Sequence, residues 1–244
     1  MVKLKEVAVQ ILNENLEPLE EYGTTRVSDI VSCTVASEDG QHFVLKFEDL
    51  RNPRLNHQWS TAFDTWIDED GSVPRYILHP GGDHLCRGLD ISATAGRRFQ
   101  FSAIDGSASV TTRSKSADNI GLIEVFVYKT KELRVSKCTC TQRPLRDPNQ
   151  ARYGGGRPFG DAPVTRSSRR DGLHRTRLGD EYVDNVFLDC ADTKDIGLYA
   201  TFKIMYKPKV ILQANSVIPL PPHRYPLRRA QDPAPPPIVP QPPS

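Results

Sequence analysis

The sequence predicts an all-β fold, an antiparallel β-sandwich of jelly-roll-like or barrel-like form, and three observations carry that expectation. Apolar and polar residues alternate with a period of two in segment after segment, as in strands that bury one face. Turns rich in Gly and Asp separate these segments at intervals of roughly 8–12 residues. Helical signal is confined to one short stretch near the C-terminal end.

Taken in order, Val7, Val9 and Ile11 alternate with Ala8 and Gln10, and Val31, Cys33 and Val35 alternate with Ser32 and Thr34. Phe43, Leu45 and Phe47 follow the turn Ser37-Glu-Asp-Gly40, so residues 31–36 and 43–47 are expected to form a hairpin. Trp59, Phe63 and Ile67 share one parity before the turn Asp68-Glu-Asp-Gly71, where the carboxylates are expected to be solvated. Val73–Leu78 reads as a strand closed by His79-Pro-Gly-Gly82, and Leu85–Ala95 as another. Ile120–Tyr128 is apolar on both parities, which predicts a central strand covered on both sides. Val183–Cys190 and Leu198–Tyr206 read as two further strands, with 191–197 as the loop between them. Lys209–Asn215, after Pro208, is the single short helix.

Two segments break the periodicity. From about Thr141 to Asp171 the chain carries prolines, the run Gly154–Gly156 and no alternation, which predicts a disordered insertion. Beyond Pro219 it is proline-rich: eleven of the twenty prolines lie between Pro219 and Pro243, so the tail 220–244 forms neither helix nor central strand. A single domain, 1–219, interrupted by the insertion, is the expected organisation of the 244 residues.

In order, several segments resemble a fungal family of unknown function found in mushroom and mould proteins. They are Glu21-Tyr22, the Cys33 strand with Ser37–Gly40, Gly88–Thr94 with Arg97–Phe101, and Gly121-Leu-Ile-Glu-Val125. Phe202–Pro208, Leu212-Gln-Ala-Asn215 and Ile218-Pro219 complete the series. Arg98 stands where that pattern has Pro, and Ser114–Asp118 replaces an acidic loop. The resemblance implies a β-sandwich-like domain and no particular activity.

Charge and motifs narrow the function. Lys+Arg number 32 against 30 Asp+Glu, a formal charge of +2. That average hides a block: residues 142–178 hold nine Arg, three Asp and neither Lys nor Glu. Arg152, Arg157, Arg166, Arg169 and Arg170, interleaved with Tyr153 and Phe159, suit phosphate forks and base stacking. Nucleic-acid association through them is therefore one expectation. Pro219, Pro222 and Arg224 follow the pattern Pro-x-x-Pro-x-Arg, a polyproline II ligand for an SH3-type partner.

His79, His84 and Cys86, with Asp83 and two glycines in the same loop, are all metal-capable, although their spacing matches no established zinc pattern. A metal-dependent enzyme built on them is a second alternative. No Gly-x-Ser-x-Gly elbow occurs, and Gly154–Gly156 lacks the Lys-Ser/Thr of a phosphate loop. No motif calls for a cofactor. No signal-peptide run interrupts the Lys- and Glu-studded start of the chain, and five widely spread cysteines fit reduced thiols better than a disulfide framework. The leading expectation is thus a non-enzymatic interaction or scaffold domain of the cytoplasm or nucleus, with a protein partner and no membrane contact.

Overall fold

A computed structural model describes residues 1–68, 71–90, 95–104, 120–136, 174–183 and 190–219. Within these the fold is all-β, with thirteen strands in two sheets and one helix. The seven-stranded sheet runs β1 (Val2–Leu4), β2 (Val7–Asn13), β5 (His42–Asp49), β10 (Ala95–Ala103), β12 (His174–Val183), with β8 (Asp83–Cys86) paired to β5 and β9 (Gly88–Asp90) to β10. The six-stranded sheet runs β3 (Glu21–Val27), β4 (Ile30–Ser37), β13 (Cys190–Pro208), β11 (Leu122–Ser136), β6 (Ser60–Ile67), β7 (Gly71–Leu78). Helix α1 (Lys209–Ala214) follows β13 where the sequence predicts a short helix over 209–215; Pro208 stands at its N-cap and Leu212 is buried.

The core lies where the inward parities of the two sheets meet. From the first sheet come Val7, Val9, Ile11, Phe43, Leu45, Phe47, Phe99 and Phe101; from the second Val31, Cys33, Val35, Phe63, Ile123, Val125, Val127, Phe202 and Ile204. Aromatic contacts join the sheets: Phe47 to Phe63 at 5.1 Å, Phe47 to Tyr76 at 5.9 Å and Phe101 to Tyr206 at 4.8 Å between ring centroids. Such pairs add to area burial by about 0.5–1.5 kcal/mol each.

The structure corrects four local expectations. The turn at 37–40 exists, with Gly40 at φ +78° and Gln41 N–H donating to the Glu38 carbonyl. It nevertheless joins no hairpin: β4 belongs to one sheet and β5 to the other. Crossing between layers turns Val31, Cys33 and Val35 toward Phe43, Leu45 and Phe47 across the core rather than beside them. Residues 85–95 are not one strand, because the chain breaks at Arg87 between β8 and β9. A Cβ at Gly88 would stand 1.9 Å from the Arg97 carbonyl oxygen, so only glycine permits β9 to meet β10 there.

β11 is central in its sheet, but among the described residues it is covered on one side only; Leu122, Phe126 and Tyr128 point outward and stay half-buried. The stretch 191–197 is not a loop, since β13 runs through it, and register shifts at Val127/Tyr128 and Lys129/Thr130 absorb the irregular sequence. The strand expected over 183–190 falls mainly on 184–189, which lie outside the described residues; β12 covers 174–183. One pairing departs from the antiparallel expectation: β13 runs parallel to β4, Thr201 opposite Ile30 through Pro208 opposite Ser37. The expected insertion at 141–171 and the tail 220–244 also lie outside the described residues.

Candidate functional site

Three polar clusters and two outer faces hold the chemistry of the described residues. The first cluster is centred on Asp68. Far from being solvated in its turn, the Asp68 carboxylate accepts the Tyr206 hydroxyl at 2.6 and 2.5 Å, the Gly121 N–H at 2.8 Å and the Thr176 N–H at 2.6 Å. Asp68 directly follows β6 at φ +52°, and its own N–H donates to the Leu122 carbonyl. Gly121, at φ +81°, lets the loop before β11 pass close to Tyr206; a Cβ there would lie 2.9 Å from the Tyr206 carbonyl oxygen. Burial pushes the Asp68 carboxyl up to about 6, although its donors oppose the rise. Burial, then the Asp68 charge, raises the Tyr206 phenol. Thr176 lies on β12, so the cluster ties the edge of one sheet to the other.

Beside it Ser37 Oγ lies 2.9 Å from His174 Nδ1, which joins β4 to β12. Burial lowers the His174 pKa, partly offset by Asp39. A Ser–His contact suggests nucleophilic chemistry, yet Ser37 is 1% exposed, and no substrate reaches an oxygen so enclosed. The third cluster is a buried ion pair. Arg51 donates from Nε to both Asp49 oxygens at 2.9 and 3.1 Å and from Nη1 to the Trp59 carbonyl, while Thr61 donates to Asp49 at 2.8 Å. The guanidinium lies 3.6 Å from the centre of the Trp59 ring. Trp59 meets Tyr199 edge to face, with the Lys129 ammonium near both rings and Lys5 over Tyr199.

The residues singled out as metal-capable are placed apart in role. His79 directly follows β7 with Nδ1 3.2 Å from Ser60 Oγ; His84 stacks on Tyr76 at 4.0 Å; Cys86 is buried, its thiol toward the Gly88 carbonyl at 3.5 Å. Among the described residues no group of three or more His, Cys, Asp or Glu could hold a metal ion. Pro219 is exposed at the end of the described chain, whereas Pro222, Arg224, Arg152, Arg157, Arg166, Arg169 and Arg170 lie outside it.

The outer face of the six-stranded sheet is rich in large side chains. Trp66, Phe126, Tyr128, Leu122 and Ile77 are half-buried there, and Met205, Leu198 and Ile30 are exposed. Glu124 pairs with Lys203 at 2.9 Å among them. Arg75 bridges Asp64 and Asp195 over the Tyr128 ring, and those bonds hold its pKa above the ordinary value against partial burial. In the sequence the β11 residues of this face read as part of a doubly covered strand, which hid the face they share with Trp66 and Ile77.

The outer face of the seven-stranded sheet is basic along β10 and β12. Arg98, Arg175 and Arg177 share it, opposite in parity to the core-facing Phe99, Phe101, His174 and Thr176. Among the described residues, no helix is long and apolar enough to cross a membrane. In comparisons with known proteins, no family model, no curated protein and no solved structure matches the chain.

Proposed function

We propose that the chain is a non-enzymatic interaction module, a scaffold that engages a protein partner in the cytoplasm or nucleus. The observation that carries this reading is the outer face of the six-stranded sheet. Partly exposed Trp66, Phe126 and Tyr128 stand among aliphatic side chains, and the ion pairs Glu124–Lys203 and Arg75–Asp64–Asp195 order them. An apolar, aromatic surface with a charged frame is the composition of a recognition patch. The buried polar groups support the same reading, since Asp68, Asp49, Arg51, Ser37 and His174 are engaged in bonds that hold the sheets together. The order of segments shared with the fungal family belongs to this reading and assigns no reaction. Recognition of an SH3-type domain by Pro219, Pro222 and Arg224 would add a second contact from the tail.

The test compares proteins captured by the full chain with those captured by a Trp66→Ser/Tyr128→Ser variant and by a chain ending at Pro219. Loss of the same specific partner from the sheet variant, with an unchanged urea midpoint, supports the reading. Identical capture by all three proteins overturns it.

A further inference from the structure

We propose that the outer face of β10 and β12 binds single-stranded nucleic acid, with Arg98, Arg175 and Arg177 holding successive phosphates. This surface lies on the other sheet from the aromatic face, so the proposal stands independently of the protein-partner reading.

Placement comes first. β10 and β12 pair with Gln100 opposite Arg177 and Ser102 opposite Arg175; Arg98, two residues before Gln100 and so of the same parity, sits at the register shift between Arg97 and Phe99 and pairs with Gly88 of β9. Arg177 is exposed, while Arg98 and Arg175 are half-buried. Among the described residues none of the three arginines joins an ion pair, whereas the nearby acids on β5 and β8, Glu48 and Asp83, both face Lys46. Glu14 lies toward His42, and Asp39 accepts the Ala103 N–H, which leaves Asp180 and Glu181 at the far end of β12 as the remaining carboxylates of the strand.

Orientation comes next. Arg177 Nε donates to Gln100 Oε1 at 2.7 Å, and Gln100 is itself anchored through Nε2 to the Gly40 carbonyl at 2.6 Å. The guanidinium plane of Arg177 is therefore fixed, with its two Nη groups available to a ligand. Arg175 Nε is buried without a hydrogen-bond partner, an unspent donor within the same patch. Preoriented guanidinium forks suit phosphate oxygens, which they can meet with two parallel bonds.

Spacing selects the ligand. Side chains two residues apart on a strand repeat at about 6.8 Å, a step comparable to that between phosphates of an extended single strand. The arginines occupy two neighbouring strands about 5 Å apart, narrower than either groove of a duplex, so one backbone and not two can run along them. Composition agrees with the placement: Arg175 and Arg177 end the 142–178 run of nine Arg and three Asp, so the folded face continues a cationic stretch of chain.

The experiment is fluorescence anisotropy of labelled oligo(dT), oligo(rU) and a duplex of equal length with the full chain, across a salt series. The wild type should bind the single strands, with log K falling linearly in log salt. An Arg98→Gln/Arg175→Gln/Arg177→Gln variant should lose at least tenfold in affinity, and its salt slope should flatten by about 2, near 0.7 for each lost phosphate contact. The matching Arg→Lys triple variant should keep the slope and lose less affinity, which separates a lost contact from a lost fold. Trp66→Ser/Tyr128→Ser should bind the oligonucleotides like the wild type, whatever it does to protein capture. Absence of binding at low salt, an unchanged slope in the Gln variant, preference for the duplex, or equal affinity for a poly-glutamate peptide would each overturn the proposal.

Discussion

The Tyr206 hydroxyl donates to both carboxylate oxygens of Asp68, at 2.6 and 2.5 Å, and accepts the Thr176 hydroxyl at 3.0 Å. One side chain thus completes a corner at which both sheets meet. Replacing Asp68 by Ala leaves the Tyr206 O–H and the N–H groups of Gly121 and Thr176 without their acceptor. A loss of about 3 kcal/mol is expected in urea unfolding, since each buried orphan donor costs about 1–3 kcal/mol and water can reach only some of them. Tyr206→Phe, which leaves the backbone donors satisfied, should cost less than half of that. Equal effects would show that the two residues do not divide the corner in this way.

The same carboxyl sets a pH dependence. Its pKa in the folded chain is about 6, above its ordinary value of 3.8, so between those pH values the folded state holds more of this proton than the unfolded state. Its contribution to stability is therefore complete below about pH 4 and declines as pH rises toward 6. His174, lowered by burial, acts oppositely: its contribution falls as pH drops below the ordinary histidine value of 6.5. The difference in unfolding free energy between wild type and Asp68→Asn isolates the first effect. It should move in favour of the Asn variant as pH rises from 4 to 6 and be flat from 7 to 8.

Arg51 and Asp49 are both fully enclosed, so removing one partner strands a buried charge. Arg51→Met or Asp49→Ala alone should cost about 3–5 kcal/mol, and the double replacement should cost clearly less than the sum. Additive losses in a thermodynamic cycle would argue that water reaches the site.

The thiols give a chemical readout. Cys33 is buried, and burial followed by the Glu21 charge pushes its pKa up to about 12; Cys86 is buried as well. With Cys138, Cys140 and Cys190 replaced by Ser, the native protein should not react with a disulfide reagent at pH 8, and two thiols should appear in urea. Prompt reaction in the native state would mean that the core opens around β4 or β8.

The strand content was legible because a period of two survives wherever one face is buried, as in Val31, Cys33 and Val35 or Phe43, Leu45 and Phe47. Sheet membership was not. A Gly-containing turn signals a reversal, but whether the two strands pair or face one another depends on partners far along the chain, here β13 beside β4 and β10 beside β5. Asp68 was hidden for a similar reason. An Asp-rich turn looks solvated until Tyr206, Gly121 and Thr176 arrive from distant segments. The stretch 191–197 shows the limit of composition: Asp, Lys and Gly suggest a loop, yet pairing with β11 and bulges in its register hold it in a strand. Arg175 and Arg177 looked like the end of an irregular basic run, and only pairing with β10 reveals that they share a face with Arg98.

β13 sits between β4 and β11, and this fixes when the molecule can become whole. Before residues 190–208 are available, the six-stranded sheet exists only as two separate parts, β3–β4 and β11–β6–β7, with no hydrogen bonds between them. During synthesis the first strands must wait, their apolar faces uncovered, until almost the last of the core-forming chain has left the ribosome. Contacts so remote in sequence close slowly. A chain ending before β13 would lack the strand that unites those parts, so premature termination yields an aggregation-prone fragment instead of a smaller domain.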